Sequence, residues 1–151
     1  MAWSTRIAVL VALGTLGCAA RQVQLQHLVK AGYENELLAS EEFKGERLAV
    51  SGEVEDRGLK SKQEFQSEIE FGPFNSADAK GQWVTTKYPY VFLISSGEFN
   101  ARLFCKFDND LRRDVGLLNI GDTVTLTGDF SGYWQSSRGK VAMLHDCDIA
   151  P

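Results

Sequence analysis

The sequence lacks the parts from which most enzymes and metal sites are made. There are three cysteines and two histidines in 151 residues, and none falls in C-x-x-C or H-E-x-x-H spacing. No ligand set for a metal can therefore be assembled by motif, and neither a metal nor another cofactor is expected. No G-x-S-x-G presents a nucleophile. The glycines of Gly132 to Lys140 end in Gly-Lys, but six residues separate them and Val141 stands where a phosphate loop needs a hydroxyl. An excess of positive charge is missing too: 16 Lys and Arg against 20 Asp and Glu give a net charge of −4. Such modest acidity favours solubility and works against phosphate-bearing partners. Long apolar runs are also absent. Ile7 to Leu13 is unbroken, yet a membrane-crossing helix needs about 20 apolar residues.

That short run is instead laid out as a secretory leader. Arg6 precedes it, small residues follow it, and after Ala20 the chain turns polar at Arg21, Gln22 and Gln24. Two cleavage sites compete. One follows a small residue, Ala19 or Ala20. The other precedes Cys18, because Thr15-Leu16-Gly17-Cys18 resembles the lipobox of bacterial lipoproteins, although Thr15 takes the usual aliphatic place. The second reading makes residues 1–17 the signal peptide and Cys18 the lipid attachment site, and anchors the protein in the bacterial cell envelope. Ala19 after the cysteine then resembles the signal for outer-membrane delivery, facing the periplasm. Removing the leader from 151 residues leaves 134, the length of a single domain. With 9 Phe, 4 Tyr and 3 Trp there are enough large side chains for a packed interior.

Assigning Cys18 to lipid leaves Cys105 and Cys147 as a pair. In an oxidising compartment a disulfide between them is the default, and two buried free thiols are the alternative.

The hydrophobic periodicity changes along the chain. From Val23 to Phe43 the residues Leu25, Leu28, Val29, Tyr33, Leu37 and Leu38 recur at helical steps, with Gly32 as a candidate kink and Lys44-Gly45 as a stop. Then Leu48, Val50 and Val54 alternate as on a strand. Tyr90 to Ile94 is apolar throughout and reads as a strand covered on both faces. A turn at Ser95-Ser96-Gly97 leads into Asn100 to Phe107, where Leu103, Cys105 and Phe107 face one way and Arg102, Phe104 and Lys106 the other. Asp108-Asn109-Asp110 caps a short helix reaching Leu118. Thr123 to Phe130 and Val141 to Ile149 complete the strands. The parity of the last one groups Val141, Met143, His145, Cys147 and Ile149, with a candidate bulge near His145 because Leu144 falls on the other side.

Five strands with a helix between the third and fourth follow the order of an OB-fold barrel. Tyr33…Asn35-Glu36…Ala39…Phe43-Lys44-Gly45, Val50-Ser51-Gly52-Glu53-Val54, Leu103 to Phe107, Ile120-Gly121-Asp122-Thr123-Val124-Thr125-Leu126-Thr127-Gly128 and Leu144 to Ile149 resemble the tRNA-anticodon-like OB-fold family of bacterial lipoproteins. The resemblance covers residues 33–55 and 90–149, and both cysteines recur in their strand contexts. It implies an all-β chain with one or two helices: an N-terminal helix within 18–45, and a five-stranded barrel over 46–151. It implies no activity. The chain departs from the family at 56–89, between the first two barrel strands. There Phe65, Ser67, Ile69 and Phe71 alternate with polar residues, and Trp83 to Tyr88 is rich in β-formers. This reads as an inserted β-ribbon with its loop from Gly72 to Gly81.

Three functional readings follow. The first is a non-catalytic module that binds an envelope protein or a glycan through the ribbon, by Phe65, Ile69, Phe71, Phe74 and Trp83. The second places single-stranded nucleic acid or an oligosaccharide across Arg102, Phe104 and Lys106, extended by Trp134, Arg138 and Lys140; an aromatic between cations suits bases and phosphates. Net acidity and the export signal weigh against nucleic acid. An enzyme is the third, with His145 beside Asp146 the one nominee, and no catalytic residue is assigned. Asp108-Asn109-Asp110 lacks the glycine and distal glutamate of a calcium loop.

Overall fold

The computed structural model describes residues 19–71 and 77–151, with the backbone alone for 64–71 and 77–84. Cys18 and Phe74 lie outside the described residues, as do the side chains of Phe65, Ile69, Phe71 and Trp83.

The strands are β1 (Arg21–Gln24), β2 (Arg47–Phe71), β3 (Ala77–Ser95), β4 (Ala101–Lys106), β5 (Thr123–Ser136) and β6 (Gly139–Ile149), with helices α1 (Leu25–Phe43) and α2 (Arg112–Leu117). A 3₁₀ turn, Asn109–Leu111, leads into α2. The strand order is β1-β2-β3-β4-β6-β5, and β5 pairs back onto β2 from Arg47↔Asp129 to Glu53↔Thr123. That pairing closes a five-stranded mixed barrel in which β4 and β6 run parallel and the other neighbours antiparallel. The short β1 lies outside it, parallel to β2. This connectivity is the OB-fold expected from the sequence.

Side-chain alternation fills the barrel. Leu48, Val50 and Val54 of β2, Val91 and Leu93 of β3, Leu103 and Cys105 of β4 and Leu126 of β5 are wholly buried. Their alternate neighbours point outward, as the pleat requires. Leu25, Leu28 and Val29 of α1 enter the same core, joined by Ala39 and Phe43 from its far end. Gly128 of β5 is required where it stands: a Cβ there would lie 2.7 Å from the Cys147 sulfur and 3.0 Å from the His145 carbonyl oxygen. Cys105 and Cys147 form the disulfide, with Cα atoms 6.0 Å apart.

Several details differ from the sequence reading. Val23 and Gln24 belong to β1, not to the helix. The break in α1 falls at Asn35 (φ −159°, ψ 96°) and not at Gly32. It interrupts the apolar stripe, so that Leu37 and Leu38 beyond it are exposed, as is Tyr33 before it. Asp108 precedes the 3₁₀ turn but makes no side-chain cap. The ribbon is paired further than expected: β2 and β3 stay in register to Phe71↔Ala77, which takes up the stretch assigned to a loop as far as Gly81. β5 likewise runs on to Ser136. The bulge near His145 is present, since Thr127 pairs with Asp148 but Asp129 with His145, and Asp146 adopts φ 48°. It breaks the expected parity of β6. Ala142 and Leu144 face the core before it, and Cys147 after it.

Candidate ligand-binding face

Pairing of β3 with β4 sets Phe92 opposite Phe104 and Tyr90 opposite Lys106. The sequence alternation directs all four, with Arg102, to the outside of the barrel. Three rings result in mutual contact: Phe92 and Phe104 with centroids 5.1 Å apart, Tyr90 and Phe104 5.9 Å apart and nearly parallel, and Tyr90 edge-on to Phe92 at 5.8 Å. Gly58 on β2 faces Tyr90, and a Cβ there would already touch the ring at 3.3–3.5 Å. The Tyr90 hydroxyl donates to Asp56 Oδ2 at 3.0 Å. Partial burial, and then that carboxylate, push its pKa up.

Cations cross the rings. The Lys60 ammonium, from the base of the ribbon, lies 4.8 Å from the Phe104 centroid, 5.2 Å from those of Tyr90 and Phe92, and 5.6 Å from that of Trp134 on β5. Arg102 is held differently. Its guanidinium stacks 4.7 Å over Phe92 while Nε donates to Glu55 at 2.7 Å, and its side chain is only 11% exposed. Glu55 also pairs with Arg138 from the β5–β6 turn at 3.2 Å. Lys106 lies 4.8 Å over Tyr88 beside a hollow of about 180 Å³ lined in part by Lys62, Thr86 and Asn109. Phe92 is the floor, 6% exposed, whereas Trp134 at 44% is the most open ring.

The β5–β6 hairpin that carries Trp134 and Arg138 is fastened to α1. The Lys140 amide donates to the Tyr33 hydroxyl at 2.7 Å, the Lys140 ammonium pairs with Glu36, and the Tyr133 hydroxyl donates to the Leu28 carbonyl at 2.8 Å.

Arg102, Phe104 and Lys106 thus share one face, with Trp134 and Arg138 along its margin, whereas Lys140 is turned to α1, its ammonium 5.9 Å from the Tyr33 and Tyr133 ring centroids. Lys60, Tyr88, Tyr90, Phe92 and Glu55 were not read from the sequence. The first four become visible only when the β2–β3 and β3–β4 registers are known, because they meet Phe104 and Lys106 across strands.

His145 stands elsewhere, near the start of β2. Its Nδ1 lies 2.9 Å from the Asp129 carbonyl and its Nε2 3.6 Å from Asp146 Oδ2, so that Asp129, His145 and Asp146 bring three ligand-type atoms within 4.8 Å of one another. Arg47 already pairs with Asp129 there at 3.1 Å. A cavity of about 480 Å³ at the β1–α1 corner is lined by Gln22, Gln24, Gln26, Ser51 and Ser95, without a titratable group. Among the described residues no helix is long and apolar enough to cross a membrane.

Barrel order, the helix between β4 and β5, and a face on β3–β4 flanked by the base of the β2–β3 ribbon and by the β5–β6 hairpin define an OB-fold. No family model matches the chain, and no curated protein matches its sequence. Among solved structures, one from Klebsiella pneumoniae, described as a "putative nucleic acid-binding lipoprotein", matches 87% of this chain and 92% of its own at 17% identity, with a TM-score of 0.58. The N-terminal domain of an archaeal MCM matches 86% of this chain and 62% of its own at 12% identity, with a TM-score of 0.46.

Proposed function

We propose that this protein is a lipid-anchored, non-catalytic module of the cell envelope that binds single-stranded nucleic acid across the outer face of β3 and β4. The observation that carries the reading is the stack of Tyr90, Phe92 and Phe104 crossed by Lys60, with Trp134 beside it and Lys106 at its end. Flat rings give bases a surface to stack on, and neighbouring cations meet the phosphates. Many of the acidic side chains lie elsewhere, on α1 (Glu34, Glu41, Glu42) and near the start of β2 (Asp129, Asp146, Asp148), while on the face Glu55 is taken up by Arg102 and Arg138 and Asp56 by the Tyr90 hydroxyl. The description of the Klebsiella protein as a "putative nucleic acid-binding lipoprotein" supports the same reading.

The anchor is compatible with such a face. Arg21, three residues after the lipobox cysteine, pairs beside Leu48, and Lys60 lies twelve residues further along the same strand. At about 3.3 Å per residue that is up to about 40 Å of strand between the anchored end and the binding face. A lipid on Cys18, at an outer membrane facing the periplasm, therefore need not bring the face onto the bilayer.

Fluorescence anisotropy with a labelled short oligothymidylate tests the reading. Base stacking on aromatics contributes about 1–3 kcal/mol per base, so Phe104→Ala and Trp134→Ala are each expected to weaken binding by about fivefold or more. Affinity should fall steeply with salt. Binding that both variants leave intact would reject the face as the site.

A further inference from the structure

We propose that Lys60 is the resident occupant of the stacking face, and that its displacement makes the face select ligands carrying an anion next to a flat ring. The proposal rests on the reading above and names the residue that sets its ligand class. Four rings from three strands, Tyr90 and Phe92, Phe104, and Trp134, surround one ammonium at 4.8–5.6 Å. A cation in that position is held by the ring quadrupoles. It also occupies the space that a base or a sugar ring needs to reach Phe104 and Trp134 together.

The two cations of the central face are not equivalent. Arg102 is fixed between Glu55 and Phe92, with its side chain 11% exposed. Lys60 is a point charge on a flexible four-carbon stem. An entering ring pushes the ammonium off the platform, and the cation–π attraction is lost. A phosphate adjoining that ring gives the displaced ammonium a new partner, so the exchange is balanced. A neutral glycan stacking on the same rings offers none and bears the loss. Lys60 thus converts an indiscriminate aromatic surface into one that favours a phosphate-linked polymer, while its stem shields the rings when no ligand is present.

The test compares two probes with the same thymine bases, a labelled oligothymidylate and its analogue on an uncharged peptide backbone, binding to the wild type and to Lys60→Met, which keeps the stem and removes the charge. The wild type should prefer the phosphodiester. Lys60→Met should weaken phosphodiester binding by about threefold or more and lower its salt slope by about 0.7, the share of one phosphate on a single strand. The same variant should tighten binding of the uncharged analogue, and Lys60→Arg should restore the preference. Equal loss for both probes, or no change for either, while Trp134→Ala still weakens both, would overturn the role of Lys60 and leave the binding face standing. A wild type that binds neither probe would overturn both. Unchanged thermal melting of Lys60→Met separates these outcomes from misfolding.

Discussion

Tyr133 shows how much one side chain does here. Its hydroxyl donates to the Leu28 carbonyl at 2.8 Å, its ring meets Phe130 edge-on at 5.3 Å, and it lies so close over α1 that a Cβ on Gly32 would be 2.6 Å from it. Burial, and then the charges of Glu42 and Glu36, push its pKa from 10.0 up to about 12. The folded protein therefore holds this proton more tightly than the unfolded chain does. The stability this contributes is complete below pH 10 and is lost as pH rises towards about 12. Tyr133→Phe is expected to cost about 0.5–1.5 kcal/mol at neutral pH through the lost hydrogen bond, and to flatten the alkaline limb of a urea-midpoint titration between those two values. A variant with the wild-type alkaline profile would remove Tyr133 as its cause. At this scale the sequence was informative only where alternation suffices. Phe104 and Lys106 follow from the parity of β4, whereas Lys60 does not, since its ring contacts are diagonal across strands and depend on register.

The helix α1 shows the same limit one level up. Its position and its stop were legible: the apolar steps from Leu25 to Val29 are buried, and Gly45 takes the left-handed conformation (φ 73°) that ends it. The break was not. Gly32 looks like the weak point because glycine is a poor helix former, yet it stays helical, at a place where a Cβ would collide with the Tyr133 ring. Asn35 breaks the helix instead, and its Oδ1 accepts from the Leu38 amide at 3.2 Å, which caps the second half. Asparagine favours such a position because its short side chain replaces the missing backbone partner. The consequence reaches the candidate site, because Tyr33 and Glu36 flank the break and both hold the hairpin that carries Trp134. Asn35→Ala should lower unfolding stability by about 1 kcal/mol in chemical denaturation, with the far-ultraviolet spectrum unchanged. A stability gain would mean that the break is imposed by packing of Ala39 and Phe43, and that the cap contributes nothing.

At the scale of the whole molecule, closure of the barrel was legible and the insertion partly so. Alternation in β2, β4 and β5 and the Gly121-Asp122 turn into Thr123 follow from local chemistry that any strand order would need. The order itself rested on the helix between β4 and β5, and the ribbon on the alternating run from Phe65 to Phe71, whose pairing to Ala77 no local signal marked. The bulge of β6 was suggested by parity, and its consequence is long-range: it turns Cys147 into the core, where it meets Cys105. That bridge joins β4 to β6, whose parallel pairing is short, from Arg102↔Val141 to Cys105↔Leu144, and it encloses α2 and β5 in a 42-residue separation. Constraining a loop of this size in the unfolded chain is worth about 4 kcal/mol in the chain-entropy model. That is a large fraction of the stability of a domain of this size. The double variant Cys105→Ala, Cys147→Ala should therefore remain folded only marginally. Its urea midpoint should lie well below that of the oxidised protein, and dithiothreitol should shift the wild type in the same direction without shifting the variant. A loss under about 1 kcal/mol would show that the β2–β5 closure, rather than the bridge across β4 and β6, holds the barrel together.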